Sequence, residues 1–271
     1  MKKFLMLFLA TAAAAVMGGD PAREAEEYYK RGDKYFHNVD MEASIGCFMR
    51  AAALGHAKAL CRVGLFYVKR DSEQAQKYFA DAEPGLLKLA EQGDAEAQIA
   101  VAFFGPGNRR NDYWLKRAVN NFRAAAARGD AKAQIQLGKF YEIGDAVNRD
   151  LAEALKWYRK AADQGHPEAT CIVGVFYLCG QSVKPDHEEA LKWLLLAADR
   201  GYTLAEFVIA EHYEFDKKDM AEAMKWYRRS AEHGNKLAQW SLRERNEHPE
   251  NPRERITAIS HVQTDPAPAD F

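Results

Sequence analysis

Residues Ala131 to His166 read AKAQIQLGKFYEIGDAVNRDLAEALKWYRKAADQGH, and the next 36 residues, Pro167 to Tyr202, read PEATCIVGVFYLCGQSVKPDHEEALKWLLLAADRGY. The two windows agree slot for slot in their small residues, an interior glycine (Gly138, Gly174), an aromatic pair, a tryptophan and a closing glycine (Gly165, Gly201). A period of this length belongs to helix-pair solenoids, in which one unit cannot bury its own apolar face and stacks on its neighbours. Within the unit, Ala131, Ala133, Leu137 and Tyr141 recur at the three-to-four spacing of one helix face. Leu155, Trp157, Tyr158 and Ala161 to Ala162 do the same further on. Gly144 breaks the first helix, Asp150 is placed to cap the second, and Gly165 stops it. Glycine at 138 costs about 1 kcal/mol against alanine in a helix interior, so the slot is expected to exist for a close helix contact, and Gly174 repeats it.

Working outward, the closing glycines are Gly55, Gly93, Gly129, Gly165, Gly201 and Gly234, at spacings of 38, 36, 36, 36 and 33. They divide the chain into repeats at about 22–56, 57–94, 95–130, 131–166, 167–202 and 203–235, with a capping helix at 236–246. The first repeat carries Gly32 in the interior slot and Asp40 as a helix cap. In the second, Pro84-Gly85 interrupts a helical pattern, and a kinked or split helix is expected. In the third, Phe104-Gly105-Pro106-Gly107 ends the first helix early, with Arg109 and Arg110 on the following loop. The sixth repeat is three residues short in its loop.

The two ends differ from this pattern. Lys2 and Lys3 precede an apolar run from Phe4 to Val16 and then small residues, the order of a secretory signal peptide over residues 1–19. The run is short of the roughly 20 apolar residues that span a bilayer. Residues 247–271, with Pro249, Pro252, Pro266 and Pro268 among charges, have the composition of a segment that buries little and is expected to be mostly disordered.

The 38 basic and 39 acidic side chains nearly cancel, and loss of Lys2 and Lys3 takes the formal charge from −1 to −1 − 2 = −3. That balance, spread through every repeat, argues against a nucleic-acid partner. No H-E-x-x-H, Cys-x-x-Cys, G-x-S-x-G, S-x-x-K or phosphate-cradling glycine loop is present. The expectation is therefore no catalytic, cofactor or metal residue. His56 and His166 follow closing glycines and read as helix C-cap residues. Trp157, Trp193 and Trp226 share one slot, which favours packing between helices over a stacking platform. Cys171 and Cys179 lie eight residues apart on one expected helix, about 12 Å at 1.5 Å per residue, beyond disulfide reach. Free, buried thiols are expected for these and for Cys47 and Cys61.

The pattern A-x-A-Q, L-G-x-x-Y, G-x-x-V-x-x-D and A-L-x-W-Y-x-x-A-A-x-x-G-H resembles the Sel1-like repeat, a relative of the tetratricopeptide repeat. The likeness is fullest at 131–202 and extends over about Ala22 to Arg245. It implies an all-α, right-handed superhelical solenoid acting as a protein–protein scaffold. A cell-envelope glycan-binding module and, from exported relatives, a β-lactamase-like enzyme are the alternatives. For the scaffold, the position after the interior glycine slot gives Leu65, Phe103, Lys139, Val175 and Glu211, a strip expected along the concave face as the partner-binding residues. The implied partner is a protein or peptide, the implied location periplasmic or secreted, with no stable membrane insertion after leader cleavage.

Overall fold

The computed structural model describes residues 20–37, 40–105 and 111–247. The signal-peptide reading, the Arg109-Arg110 loop and nearly all of the proline-rich tail lie outside them. The described residues form thirteen α-helices and no strand. These are α1 (Pro21–His37), α2 (Met41–Ala53), α3 (Ala57–Tyr67), α4 (Ser72–Glu91), α5 (Ala95–Phe104), α6 (Asp112–Ala127) and α7 (Ala131–Ile143). They continue with α8 (Leu151–Asp163), α9 (Pro167–Cys179), α10 (His187–Asp199), α11 (Thr203–Glu211), α12 (Met220–Glu232) and α13 (Lys236–Glu247). A π-helical turn, His212–Asp216, follows α11. The chain divides at Asn121 and Phe122 into two compact units. Within each, consecutive helices pack on one another, α1 to α5 in the first and α7 to α13 in the second. The architecture is an all-α solenoid of helix pairs.

The repeat signals act as local physics requires. All six closing glycines have φ between +81° and +96°, the left-handed conformation that glycine adopts without a Cβ penalty. Asp40 accepts from the Ala43 N–H, and Asp150 from those of Ala152 and Glu153, so each caps the helix it precedes. A Cβ on Gly138 would stand 2.6 Å from the Tyr158 ring, and one on Gly174 2.8 Å from Leu194 Cγ. The interior glycine thus lets the second helix of a repeat seat a large side chain against the backbone of the first. Trp193 and Trp226 pack at the margins of core clusters, as the slot suggested.

The glutamine of A-x-A-Q joins one repeat to the next. Buried Gln98 and Gln134, and exposed Gln239, donate from Nε2 to the carbonyls of Ala90, Ala126 and Ala231, each eight residues back at the end of the preceding repeat. These carbonyls lie among the last four of a helix, where no intrahelical partner exists. Repeat five has Thr170 in this slot, with Arg200 donating to it, and repeat six has Glu206. Glu206 is fully buried and accepts from Arg229 Nε at 2.8 Å, with His233 Nδ1 2.9 Å away.

Three expectations are corrected. Pro84-Gly85 does not split a helix: α4 runs unbroken for 20 residues. A proline inside a helix costs about 3 kcal/mol or more, but Ala82, Leu86 and Ala90 around it are buried in one cluster with Ala97, Ala100 and Val101, and Gly85 closes on Ala57, whose Cβ a side chain would meet at 2.7 Å. His56 and His166 stand at the N-caps of α3 and α9 rather than finishing the helices before them; His56 Nδ1 accepts from the Ala59 N–H at 3.1 Å. All four cysteines are free as expected, but Cys179 is exposed while the other three are buried. Burial pushes the Cys61 and Cys171 thiols up to about 12.

Repeat six departs from repeats four and five at its core. Counting from the first residue of each repeat, the tenth is Phe140 and Phe176 in repeats four and five but His212 in six. The fourteenth is Gly144 and Gly180, both left-handed helix ends, but Asp216 in repeat six. Without that glycine the helix does not close in the same way, and the Lys217 N–H instead reaches the His212 carbonyl at 3.1 Å, five residues back.

Candidate functional site

The second unit holds a groove of about 270 Å³ walled by α9, α11 and α13. Its apolar wall includes Ile172, Val175, Leu204, Val208, Leu237 and Trp240. Trp240 is half exposed, so α13 does not present a purely polar outer face. Cys171 lines the same groove, its thiol fully protonated by burial.

A buried polar cluster interrupts this wall. Tyr227 from α12 donates its hydroxyl to Glu214 Oε2 at 2.8 Å. Arg245 from α13 donates from Nη2 to the same oxygen and from Nη1 to the Ser241 carbonyl. The guanidinium carbon lies 4.2 Å from the centre of the Tyr227 ring, a cation–π contact. Side-chain exposures of 10% for Arg245 and 3% for Glu214 make this a desolvated ion pair, which costs a good deal if either member is removed. Glu211 joins the cluster from the last turn of α11. Burial, with the negative charge of Glu214 adding and Arg245 opposing, pushes its carboxyl up to about 8. Burial likewise raises the Tyr227 hydroxyl, so it remains a donor.

Not all of the cluster's capacity is used. Glu211 Oε2, Glu214 Oε1 and Arg245 Nε are buried and make no hydrogen bond. Buried polar atoms in folded proteins are paired in more than about nine cases in ten, and two of these three residues, Glu211 and Arg245, line the groove.

Of the five strip residues read from the sequence, all are half-buried. Val175 and Glu211 line the groove together. Lys139 is held by Glu168 at 3.2 Å and does not line it. Leu65 and Phe103 belong to the first unit, where the Phe103 ring lies tilted against Phe104. The sequence reading did not include Glu214, Arg245 or Trp240. The signal available was the charged residue in the twelfth slot of repeat six, where repeat five has Leu178, together with a tryptophan and an arginine on a helix otherwise read only as a cap.

Helix pairs stacked through a side-chain joint define a helical repeat protein. The Sel1 repeat pattern matches residues 51–82, 95–130, 131–166, 167–202 and 203–235, and the chain belongs to the Sel1 repeat family. Proteins of this family are generally protein-interaction scaffolds. Among solved structures, the chain is similar to a Sel1 repeat protein from Oxalobacter formigenes, with 30% identity over 47% of this chain and 98% of that one and a TM-score of 0.41. It is also similar to c5321, a protective antigen of uropathogenic Escherichia coli strains with an SLR fold, at 26% identity and a TM-score of 0.46. That match covers 95% of this chain, which spans 55% of the antigen's length. A search of curated proteins gave no match.

Proposed function

We propose that this protein is an exported scaffold whose second unit takes, in the groove of α9, α11 and α13, a peptide segment bearing apolar side chains and one basic side chain. The observation that carries this reading is the Glu211 carboxyl, whose buried Oε2 makes no hydrogen bond, beside Val175 and Val208 on a largely apolar wall. Glu211 lines the groove, and a lysine or arginine side chain donates to its carboxyl while neighbouring apolar side chains cover Val175, Val208 and Trp240. Export is supported by the Lys2 to Gly19 leader pattern. No described helix is long and apolar enough to cross a membrane.

Fluorescence anisotropy with labelled amphipathic peptides that alternate leucine with a single lysine, against the same peptides carrying glutamate in its place, tests the groove. The lysine peptides should bind at least about tenfold more tightly, since an acidic side chain would meet the Glu211 carboxyl in a desolvated site. Val175→Asp should abolish the difference. Equal binding of the two peptide sets, or indifference to Val175→Asp, overturns the reading. Export is checked separately: expressed with its leader, the protein should be recovered outside the cytoplasm shortened by about 15 to 19 residues, and a full-length product in the membrane fraction would refute it.

A further inference from the structure

The substitutions that set repeat six apart meet at one place. His212 replaces the core phenylalanine and Asp216 the closing glycine, as above. A third change lies across the junction: the twenty-first residue of repeat four, Leu151, is His187 in repeat five. In the earlier junction Leu151 packs on the cluster that contains Phe176. In the later one the equivalent pair is His187 and His212, whose ring centres are 5.2 Å apart. An apolar contact has been rebuilt from two imidazoles and a carboxylate.

The chemistry of that trio is unfinished. His212 is 1% exposed and its Nδ1 lies 2.8 Å from Asp216 Oδ2. Its Nε2, and Nδ1 of His187, are buried and make no hydrogen bond. One ligating atom from each of His187, His212 and Asp216 can be chosen so that all three lie within 4.8 Å of one another. Two imidazole nitrogens left open in a protein interior are a desolvation cost that the leucine and phenylalanine of the preceding junction do not carry. Asp216 remains 44% exposed on its side chain, which leaves a path from solvent to the trio.

From this juxtaposition we infer that His187, His212 and Asp216 form a binding site for a single divalent transition-metal ion, with zinc the ion this donor set fits best. Two imidazole nitrogens and one carboxylate oxygen are ligands that zinc accepts at about 2.0–2.2 Å. Harder ions such as magnesium and calcium prefer all-oxygen shells. Bringing donors from within 4.8 Å to that geometry takes small side-chain rotations, and the π-helical turn that carries His212 and Asp216 puts both on one loop of backbone. Three protein ligands leave one tetrahedral position for water or for a group from a partner. None of the three residues lines the peptide groove.

The test uses the untagged full chain with Zn²⁺ and, as a spectroscopic probe, Co²⁺. One equivalent of Zn²⁺ should raise the melting temperature, because an ion that binds only the folded state stabilises it. One equivalent of Co²⁺ should give the visible absorption of a four-coordinate ion. Asp216→Asn should weaken binding by about 10- to 100-fold, whether the carboxylate ligates or orients the imidazole. The double variant His187→Leu, His212→Phe installs the side chains used in the preceding junction; it should fold cooperatively and show no cobalt band. His187→Leu alone, at the less buried position, provides a second measurement if the double variant fails to fold. No zinc shift and no cobalt band in the original protein, or unchanged affinity in a folded His187→Leu variant, would overturn the site.

Discussion

Repeats four and six are two versions of one design, and their difference shows what the scaffold tolerates. In repeat four, Tyr158 donates to Glu142 at 2.7 Å, with Glu142 half-buried. In repeat six, the equivalent Tyr227 donates to the equivalent Glu214 at 2.8 Å, but that carboxylate is buried and shared with Arg245. The tyrosine–glutamate bond is the common framework. What changes is the water around it, and with it the energy at stake. Repeat six also replaces an interior glycine by Ala210, a buried phenylalanine by His212 and a joint glutamine by Glu206. The fold accommodates these polar residues where each finds a partner. Glu211, Glu214, His187 and His212 each keep one buried polar atom without a hydrogen bond.

The largest expected effect comes from separating these two bonds. Glu214→Ala strands the Arg245 guanidinium in the interior and should cost about 3–5 kcal/mol in urea denaturation. Glu142→Ala removes a hydrogen bond whose site water can reach, and should cost about 1 kcal/mol. Equal losses would erase the distinction drawn between the two repeats. Next comes the interior slot. Gly174→Leu drives a side chain into Leu194 and toward the Ala190 carbonyl, 3.2 Å from the Cβ position, and should destabilise by about 1–3 kcal/mol through overpacking. Ala210→Gly, at the same slot of repeat six, should cost only about 0.5–1 kcal/mol, the helix-propensity difference; a thermal melt that ranked them the other way would mean that the slot does not set helix spacing. The smallest effect concerns the caps. Asp150 accepts from two backbone N–H groups and Asp219 from one. Replacing either by alanine should cost about 0.5–2 kcal/mol, with Asp150→Ala the larger of the pair in the same denaturation series.

The helices, their caps and their closing glycines were legible because each is decided within a few residues. A left-handed glycine after a helix, or an aspartate before one, works through its own backbone. Pro84 misled because packing of Ala82, Leu86 and Ala90 outweighs a local penalty that sequence shows in isolation. His56 misled because the connection between α2 and α3 is so short that the residue after a closing glycine already caps the next helix. The groove was half legible. Val175 and Glu211 fall in a repeat slot, whereas Glu214 and Arg245 meet only when α13 packs back on α12 and the π-helical turn. The histidine trio escaped a motif search because His187 and His212 are 212 − 187 = 25 residues apart on different helices. The trace it left was a set of departures from the repeat's own pattern.

The glutamine joint bears on how such a chain grows. Repeat four begins with Gln134, which reaches back to the Ala126 carbonyl, and ends with the carbonyl of Ala162, the residue 36 positions on from Ala126. A duplicate of residues 131–166 inserted after itself would meet that carbonyl with its own glutamine and offer the same carbonyl onward. Each such cassette carries both halves of its connector, so gene duplication can lengthen the array by whole repeats without a compensating change elsewhere. Repeat six lacks that property. Its Glu206 is matched to Arg229 and His233 within the repeat, but its Glu214 to Arg245 outside it, so a copied repeat six would lack that arginine and lengthening is directed into the repeats before it.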